Sequence, residues 1–142
     1  MGTDKSSGIR GLKRNQIRLY KQISIEIERE TQIHPNYADL HNQFGLLLMV
    51  EGDPEGAESH FLEALSINAK YREVHLNLGF LYIEMRRREE AENILLSEIR
   101  KYPKDGFLHH ALGVLYLQTG REKEALVHIR KAVQCHPYYR DY

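Results

Sequence analysis

The stretch VHLNLG (residues 74–79) decides the fold of this 142-residue chain, because it recurs at a spacing of 34 residues. LHHALG follows at residues 108–113, and the looser copy LHNQFG precedes it at residues 40–45. The same shift aligns three glycines and, twelve positions later, three alanines: Gly45, Gly79 and Gly113, then Ala57, Ala91 and Ala125. Three copies in register, with no insertion between them, predict a repeat protein.

Each copy contains two stretches of helical periodicity separated by a short turn. In the second copy, Val74, Leu78 and Leu81 form one apolar stripe, and Ala91 and Leu95 belong to another. Apolar residues at spacings of three and four are typical of a helix with one buried face. We therefore predict paired helices at residues 38–50, 54–67, 72–85, 88–101, 106–119 and 122–134.

The repeat resembles the tetratricopeptide repeat family. The resemblance covers residues 38–137 and rests on the 34-residue period, the alanine column, the Leu-Gly or Phe-Gly pairs at 44–45, 78–79 and 112–113, and the closing prolines Pro103 and Pro137. It implies an all-α fold, an α-solenoid in the form of a right-handed superhelix of three helix–turn–helix repeats. Glu98 in a small-residue column, Ala69 at a usual proline position and the recurring histidine depart from the family pattern.

The segment before the first repeat is predicted to be half a repeat, since Ile23 and Ile27 fall one period before Ala57 and Phe61. The alternating run SIEIE (24–28) would suit a strand, but the longer helical stripe outweighs it. The predicted organisation is a flexible basic N-terminal segment (1–11), a half-repeat helix (12–37), three repeats (38–71, 72–105 and 106–139), and the start of a truncated or terminal capping helix (140–142).

Composition and charge exclude several classes of protein. Lys plus Arg and Asp plus Glu both number 20, so no net charge draws the whole molecule to nucleic acid or acidic lipid. Cys135 is the single cysteine, which rules out an intramolecular disulfide. The sequence contains no apolar run near the ~20 residues of a membrane span and no recognisable signal peptide. We therefore expect a cytoplasmic protein.

Histidine recurs four residues before each glycine of the repeat, at His41, His75 and His109. A metal ion needs ligand nitrogens about 2.0–2.1 Å away, whereas packed helices lie about 8–10 Å apart. The column is therefore predicted to be a half-polar spacer between helices, bonded to a neighbouring group. Cys135 and His136 are adjacent in sequence, but no oxyanion site accompanies them. We predict no enzyme, no metal site and no cofactor.

A binding function would be expected on the inner face of the superhelix, which the first helix of each repeat lines. On these first helices, most positions next to the buried stripe are apolar. An exposed apolar patch marks an interaction surface. The predicted groove consists of Asn42, Leu46, Met49, Leu76, Phe80, Ile83, Phe107, His110, Val114 and Leu117. Packing against adjoining helices is the alternative role for some of these residues.

The predicted partner is a protein or peptide that offers an apolar or amphipathic segment to this groove. Some family members bind acidic chaperone tails with a Lys/Arg/Asn clamp on the inner face. Here the comparable positions include Asp39, Leu46 and Glu73, which cannot pair with a carboxylate. Chaperone-tail binding is therefore not expected.

Two other functions stay open. Self-association through the groove or the C-terminal end, where Tyr138, Tyr139 and Tyr142 lie, would make the chain a homo-oligomeric scaffold. The lack of a polar cap there predicts a covered end or a shortened chain. Contact with nucleic acid or an anionic surface through Arg14 and Arg18 is the weaker alternative, because no nucleic-acid motif follows them.

Overall fold

Seven α-helices make up the part of the chain that the structure, a computed structural model, describes, namely residues 13–135. They are α1 (Arg14–Ile33), α2 (Ala38–Glu51), α3 (Pro54–Ile67), α4 (Arg72–Glu84), α5 (Arg88–Lys101), α6 (Gly106–Gln118) and α7 (Glu122–Cys135). Every helix predicted for the three repeats is present, and its bounds differ from the prediction by at most one residue. The all-α solenoid fold is confirmed, and the SIEIE run lies within α1.

Several predictions concern residues outside this described range. They are the flexible N-terminal segment (1–11), the start of a capping helix (140–142) and the role of Tyr138, Tyr139 and Tyr142 in self-association. Among the helices of residues 13–135, none combines the length and the apolar character that crossing a bilayer requires.

Two compact units divide the chain, and the boundary falls in the first turn of α4. Unit 1 is Met1–Val74, in which α1 packs on α2 and α2 packs on α3. Unit 2 is His75–Tyr142, in which α5 packs on α6 and α6 packs on α7. In each of these pairs, helices that are neighbours in sequence are neighbours in space, as a helical repeat requires.

Short polar side chains begin two of the helices. The Asp53 carboxylate accepts a hydrogen bond from the Gly56 backbone N–H at 3.1 Å, and Pro54 occupies the first position of α3. The Asp105 carboxylate accepts from the Phe107 N–H at 2.9 Å at the start of α6. Backbone N–H groups in the first helical turn have no partner within the helix, so these carboxylates fix where α3 and α6 begin.

Close approach of two helices explains the glycine column. A Cβ atom built on Gly45 would lie 2.6 Å from the ring of Phe61, which is fully buried. The corresponding distance is 2.6 Å from Gly79 to Leu95 and 2.7 Å from Gly113 to Ile129. Each glycine therefore leaves the space that a bulky side chain of the following helix fills, and this contact recurs in all three repeats.

An arginine at the turn packs on a tyrosine ring in the second and third repeats. The Arg121 guanidinium lies 4.1 Å from the centre of the Tyr116 ring, and its Nε donates to Glu124 at 2.9 Å. Arg121 also donates to Glu92 at 3.0 Å, and Glu92 accepts the Tyr116 hydroxyl at 3.0 Å. Burial, followed by the hydrogen bond to Glu92, raises the pKa of Tyr116 to about 12. Arg87 lies over an equivalent tyrosine at 4.5 Å in the second repeat.

Replacing Gly45 by alanine should destabilise the protein. Alanine favours the helix by about 1 kcal/mol over glycine, but overpacking a filled core opposes it by about 1–3 kcal/mol. We expect the second effect to dominate because the rigid Phe61 ring stands 2.6 Å from the new methyl group. Urea denaturation followed by circular dichroism measures the difference.

The double variant Gly45→Ala/Phe61→Leu is the control for this steric explanation. Leucine is smaller than phenylalanine and should make the two changes less destabilising together than their separate effects predict. If the alanine destabilises the wild-type background and the Phe61→Leu background equally, contact with the ring is not the cause.

Candidate protein-binding surface

The recurring histidines lie between paired helices, as predicted. His41 is buried, its Nε2 lies 2.8 Å from the Pro35 carbonyl oxygen, and its Nδ1 lies 3.1 Å from the Nδ1 of His60. In the third repeat the buried His109 lies 2.7 Å from the Pro103 carbonyl oxygen and 3.0 Å from the Nδ1 of His128. Both histidines bridge a backbone carbonyl and a second imidazole, so their role in the packing is confirmed.

The second repeat lacks the histidine partner and has a buried carboxylate near its own recurring histidine. Ile94 stands one period after His60, and the Nε2 of His75 instead lies 3.9 Å from Glu98. Glu98 is buried, and its carboxylate accepts from the Lys101 ammonium at 3.1 Å. The acidic residue that breaks the small-residue column therefore lies near the Nε2 of His75, whereas His60 and His128 contact the Nδ1 of their partner histidines.

Chemical groups that could hold a metal ion do not converge in the described part of the chain. No group of three or more His, Cys, Asp or Glu side chains with that geometry occurs within residues 13–135. The histidine pairs are consequently two-residue contacts between helices.

A surface of unit 2 carries most of the predicted groove residues. On α6, Phe107, His110, Val114 and Leu117 follow the spacing of one helix face. Phe107 is 66% exposed and Leu117 is 54% exposed, while Val114 is partly covered. The Asp105 carboxylate accepts hydrogen bonds from the backbone N–H groups of Phe107 and Leu108, and so places the Phe107 side chain in the first turn of α6.

The adjacent helix α4 extends this surface. Leu76 and Phe80 are one helical turn apart and are partly covered. The Phe80 ring centre lies 6.4 Å from that of His110, so the two helix faces meet there. We name the set the α4–α6 surface, and it consists of Leu76, Phe80, Phe107, His110, Val114 and Leu117.

Two predicted groove residues are not available to a partner. Asn42 is 4% exposed and Ile83 is 3% exposed, so the expectation that they line an open surface is wrong. The predicted groove positions are adjacent to the buried stripe of each helix and therefore lie at the edge of its packed face. Asn42 and Ile83 fall inside that packed face. In unit 1, Leu46 is exposed and Met49 is partly covered.

Asp39, at a position where a clamp for acidic tails would need a basic residue, is negatively charged and has a partner within the protein. The Asp39 carboxylate accepts the Tyr71 hydroxyl at 2.8 Å. Burial, followed by this hydrogen bond, raises the pKa of Tyr71 to about 12. Asp39 is thus part of the packing of unit 1, and as a carboxylate it would repel an acidic tail.

Unit 1 also contains a cavity of about 780 Å³ beside α1. Its lining mixes apolar side chains such as Tyr20 and Phe44 with Glu51, Asp53 and His60. Glu51, Asp53 and His60 already have partners, because Glu51 accepts from a serine of α1, Asp53 caps α3, and His60 contacts His41. The cavity is therefore a weaker candidate site than the α4–α6 surface.

Sequence comparison identifies the repeat. A family model described as tetratricopeptide repeat matches residues 48–111, and another with the same description matches residues 108–134. The chain belongs to the tetratricopeptide repeat family. The matched range 48–134 includes α3 to α7 and hence the whole α4–α6 surface. The comparison with curated proteins gives no match.

Solved structures of similar fold include other proteins built from helical repeats. A crystal structure of MamA has a TM-score of 0.76 and 18% identity, over 89% of this chain and 74% of that one. MamA 41-end from Desulfovibrio magneticus RS-1 has a TM-score of 0.74 and 18% identity, over 95% and 77%. The Pseudomonas aeruginosa pilF protein has a TM-score of 0.74 and 25% identity, over 93% of this chain and 61% of its own. The MamA likeness concerns the fold alone.

Replacing Glu98 by alanine tests the carboxylate of this tetratricopeptide repeat protein. Alanine restores the small residue of the column but removes the polar partner of Lys101 and His75. We expect a loss of about 1–3 kcal/mol in unfolding free energy, measured in urea, because a buried polar contact is left incomplete.

Two variants separate charge from volume in this measurement. Glu98→Met keeps most of the side-chain volume without the charge and should also be destabilised. Glu89→Ala changes an exposed residue near the start of the same helix and should stay within about 0.5 kcal/mol of wild type. Full stability of Glu98→Met would mean that only the volume of Glu98 matters.

Proposed function

We propose that the chain is a non-enzymatic protein-interaction module that binds an apolar or amphipathic segment on the α4–α6 surface. The observation that carries the proposal is the exposure of Phe107 and Leu117 on one face of α6, at 66% and 54%. Large apolar side chains that share one exposed face are unfavourable in water unless a partner covers them.

The chemistry of the surface supports a partner with little charge of its own. None of its six members is permanently charged, and His110 is the one titratable residue among them. Aromatic side chains such as Phe80 and Phe107 contribute large contact areas at interfaces. An amphipathic helix would offer apolar residues at spacings of three, four and seven, which suits two adjacent helix faces.

Self-association is the alternative that the same surface allows. A second copy of the chain would cover Phe107 and Leu117 as well as a peptide would. The two cases differ in the solution mass of the protein, which rises with concentration for a self-associating chain. Light scattering over a concentration series therefore precedes any search for a partner.

The double variant Phe107→Glu/Leu117→Glu tests the proposal. Both side chains are exposed, so the charges should leave the fold intact, and far-ultraviolet circular dichroism checks this. Selection of random phage-displayed peptides on the wild-type protein should enrich apolar residues at helical spacing. We expect the variant to bind such peptides at least about tenfold more weakly, a loss of about 1.4 kcal/mol.

Val127→Glu is the matched control. Val127 lies on α7 of the same unit and is 48% exposed, and the other repeats have Ser59 and Asn93 at this position. A charge there should leave peptide binding unchanged. Enrichment of acidic peptides, or equal binding by the double variant, would contradict the proposed site.

A further inference from the structure

Two histidine pairs join the first and second helices of their repeats, His41 with His60 and His109 with His128. We infer that each pair is a proton-sensitive clasp, which holds its two helices together at neutral pH and loosens them in mildly acidic solution. The inference concerns the packing inside the repeats, so it stands or falls independently of the proposed partner.

The two clasps have the same construction. In each, the Nδ1 atoms of two histidines 19 residues apart lie at hydrogen-bond distance, 3.1 Å for His41 and His60 and 3.0 Å for His109 and His128. The rings stack at centroid distances of 5.4 and 5.3 Å. One clasp joins α2 to α3 within unit 1, and the other joins α6 to α7 within unit 2.

The backbone carbonyls determine where the protons lie. A carbonyl oxygen can only accept, so the Nε2 of His41 must donate to Pro35, and the Nε2 of His109 must donate to Pro103. When these rings are neutral, their Nδ1 atoms are acceptors. The Nδ1–H groups of His60 and His128 must then be the donors between the rings.

The two imidazoles of one clasp cannot both be protonated without breaking the hydrogen bond between them. If both imidazoles were charged, two N–H groups would face each other at about 3 Å, and the hydrogen bond would become a repulsion between like charges. The unfolded chain has no such restriction and can protonate every histidine. Unfolding in acid therefore takes up protons that the clasps exclude.

The surroundings of His60 act in the same direction overall. Burial, followed by the charge of His41, lowers the pKa of His60 below its ordinary value of 6.5. Glu63, Glu28 and Asp53 oppose this shift without cancelling it. Of these three, Asp53 is already engaged in capping α3.

The surroundings of His128 are similar but contain a cation. Burial lowers the pKa of His128, and the charges of His109 and Lys131 lower it further. Glu124 opposes the shift, and this carboxylate is itself paired with Arg121. The Tyr116 ring is the remaining aromatic neighbour, at 5.5 Å.

These lowered pKa values determine the direction of the pH effect. A histidine that binds protons less readily when folded contributes stability that is fully present above its unfolded pKa. For His60 and His128 that stability is lost as the pH falls below their ordinary pKa of 6.5. The second repeat has no such pair, because Ile94 replaces the second histidine and Glu98 stands beside His75.

Proton positions in the wild-type chain provide the first test. Long-range ¹H–¹⁵N correlation spectra at about pH 7.5, where most free histidine is neutral, distinguish the two neutral forms of each ring. We expect Nδ1–H for His60 and His128 and Nε2–H for His41 and His109. Nε2–H forms of His60 and His128 would leave no proton between the rings and would overturn the inference.

Thermal unfolding at two pH values is the second test. Between about pH 7.5 and 5.5 the wild-type midpoint should fall by at least about 4 °C. His60→Ile/His128→Ile copies the residue of the second repeat, and its midpoint should fall clearly less. His34→Gln, a change at a half-exposed histidine outside both clasps, should keep the wild-type fall.

The two tests together decide the matter even if one variant is unusable. An equal fall in wild type and double variant would mean that other groups cause the acid sensitivity, and the inference would be wrong. If the double variant does not fold, the wild-type protein decides: a midpoint that does not fall between about pH 7.5 and 5.5, or Nε2–H forms of His60 and His128, would each overturn the inference.

Discussion

The contact between a glycine of one helix and a bulky side chain of the next is the constraint on which the repeat depends. At Gly45 the space of a missing methyl group is filled by Phe61, and the same relation recurs in the second and third repeats. Because the backbone of the first helix approaches so closely, the other contacts between paired helices become short. Both histidine bridges, at about 3 Å, lie within that narrow separation.

Periodicity was the main signal that predicted the helices of the repeats and their pairing. Spacings of three, four and 34 residues are one-dimensional signals, and they locate the helix bounds of the repeats to within one residue. The border of the packed face is harder to predict, as Asn42 and Ile83 illustrate. Which side chains near that border are covered depends on the angle at which helices cross, and a single sequence does not contain that angle.

The sequence does contain a signal for the histidine partners of His41 and His109, although it was not used to predict them. The 34-residue shift that aligns the glycines also aligns His60, Ile94 and His128. In the second repeat this column holds Ile94, and the other departing residue of that copy, Glu98, lies 3.9 Å from the Nε2 of His75. A departure from a repeat pattern is therefore informative when a second column departs in the same copy.

The arginines of the turns have a consequence for the response to salt. Arg121 and Glu124 are 39% and 52% exposed, so dissolved ions can screen their attraction. Contact with the Tyr116 ring and the glycine contacts depend much less on screening. High ionic strength should thus leave the fold largely unchanged. Dissolved salt therefore weakens the exposed ion pairs of the turns, whereas acid acts on the histidine pairs between helices.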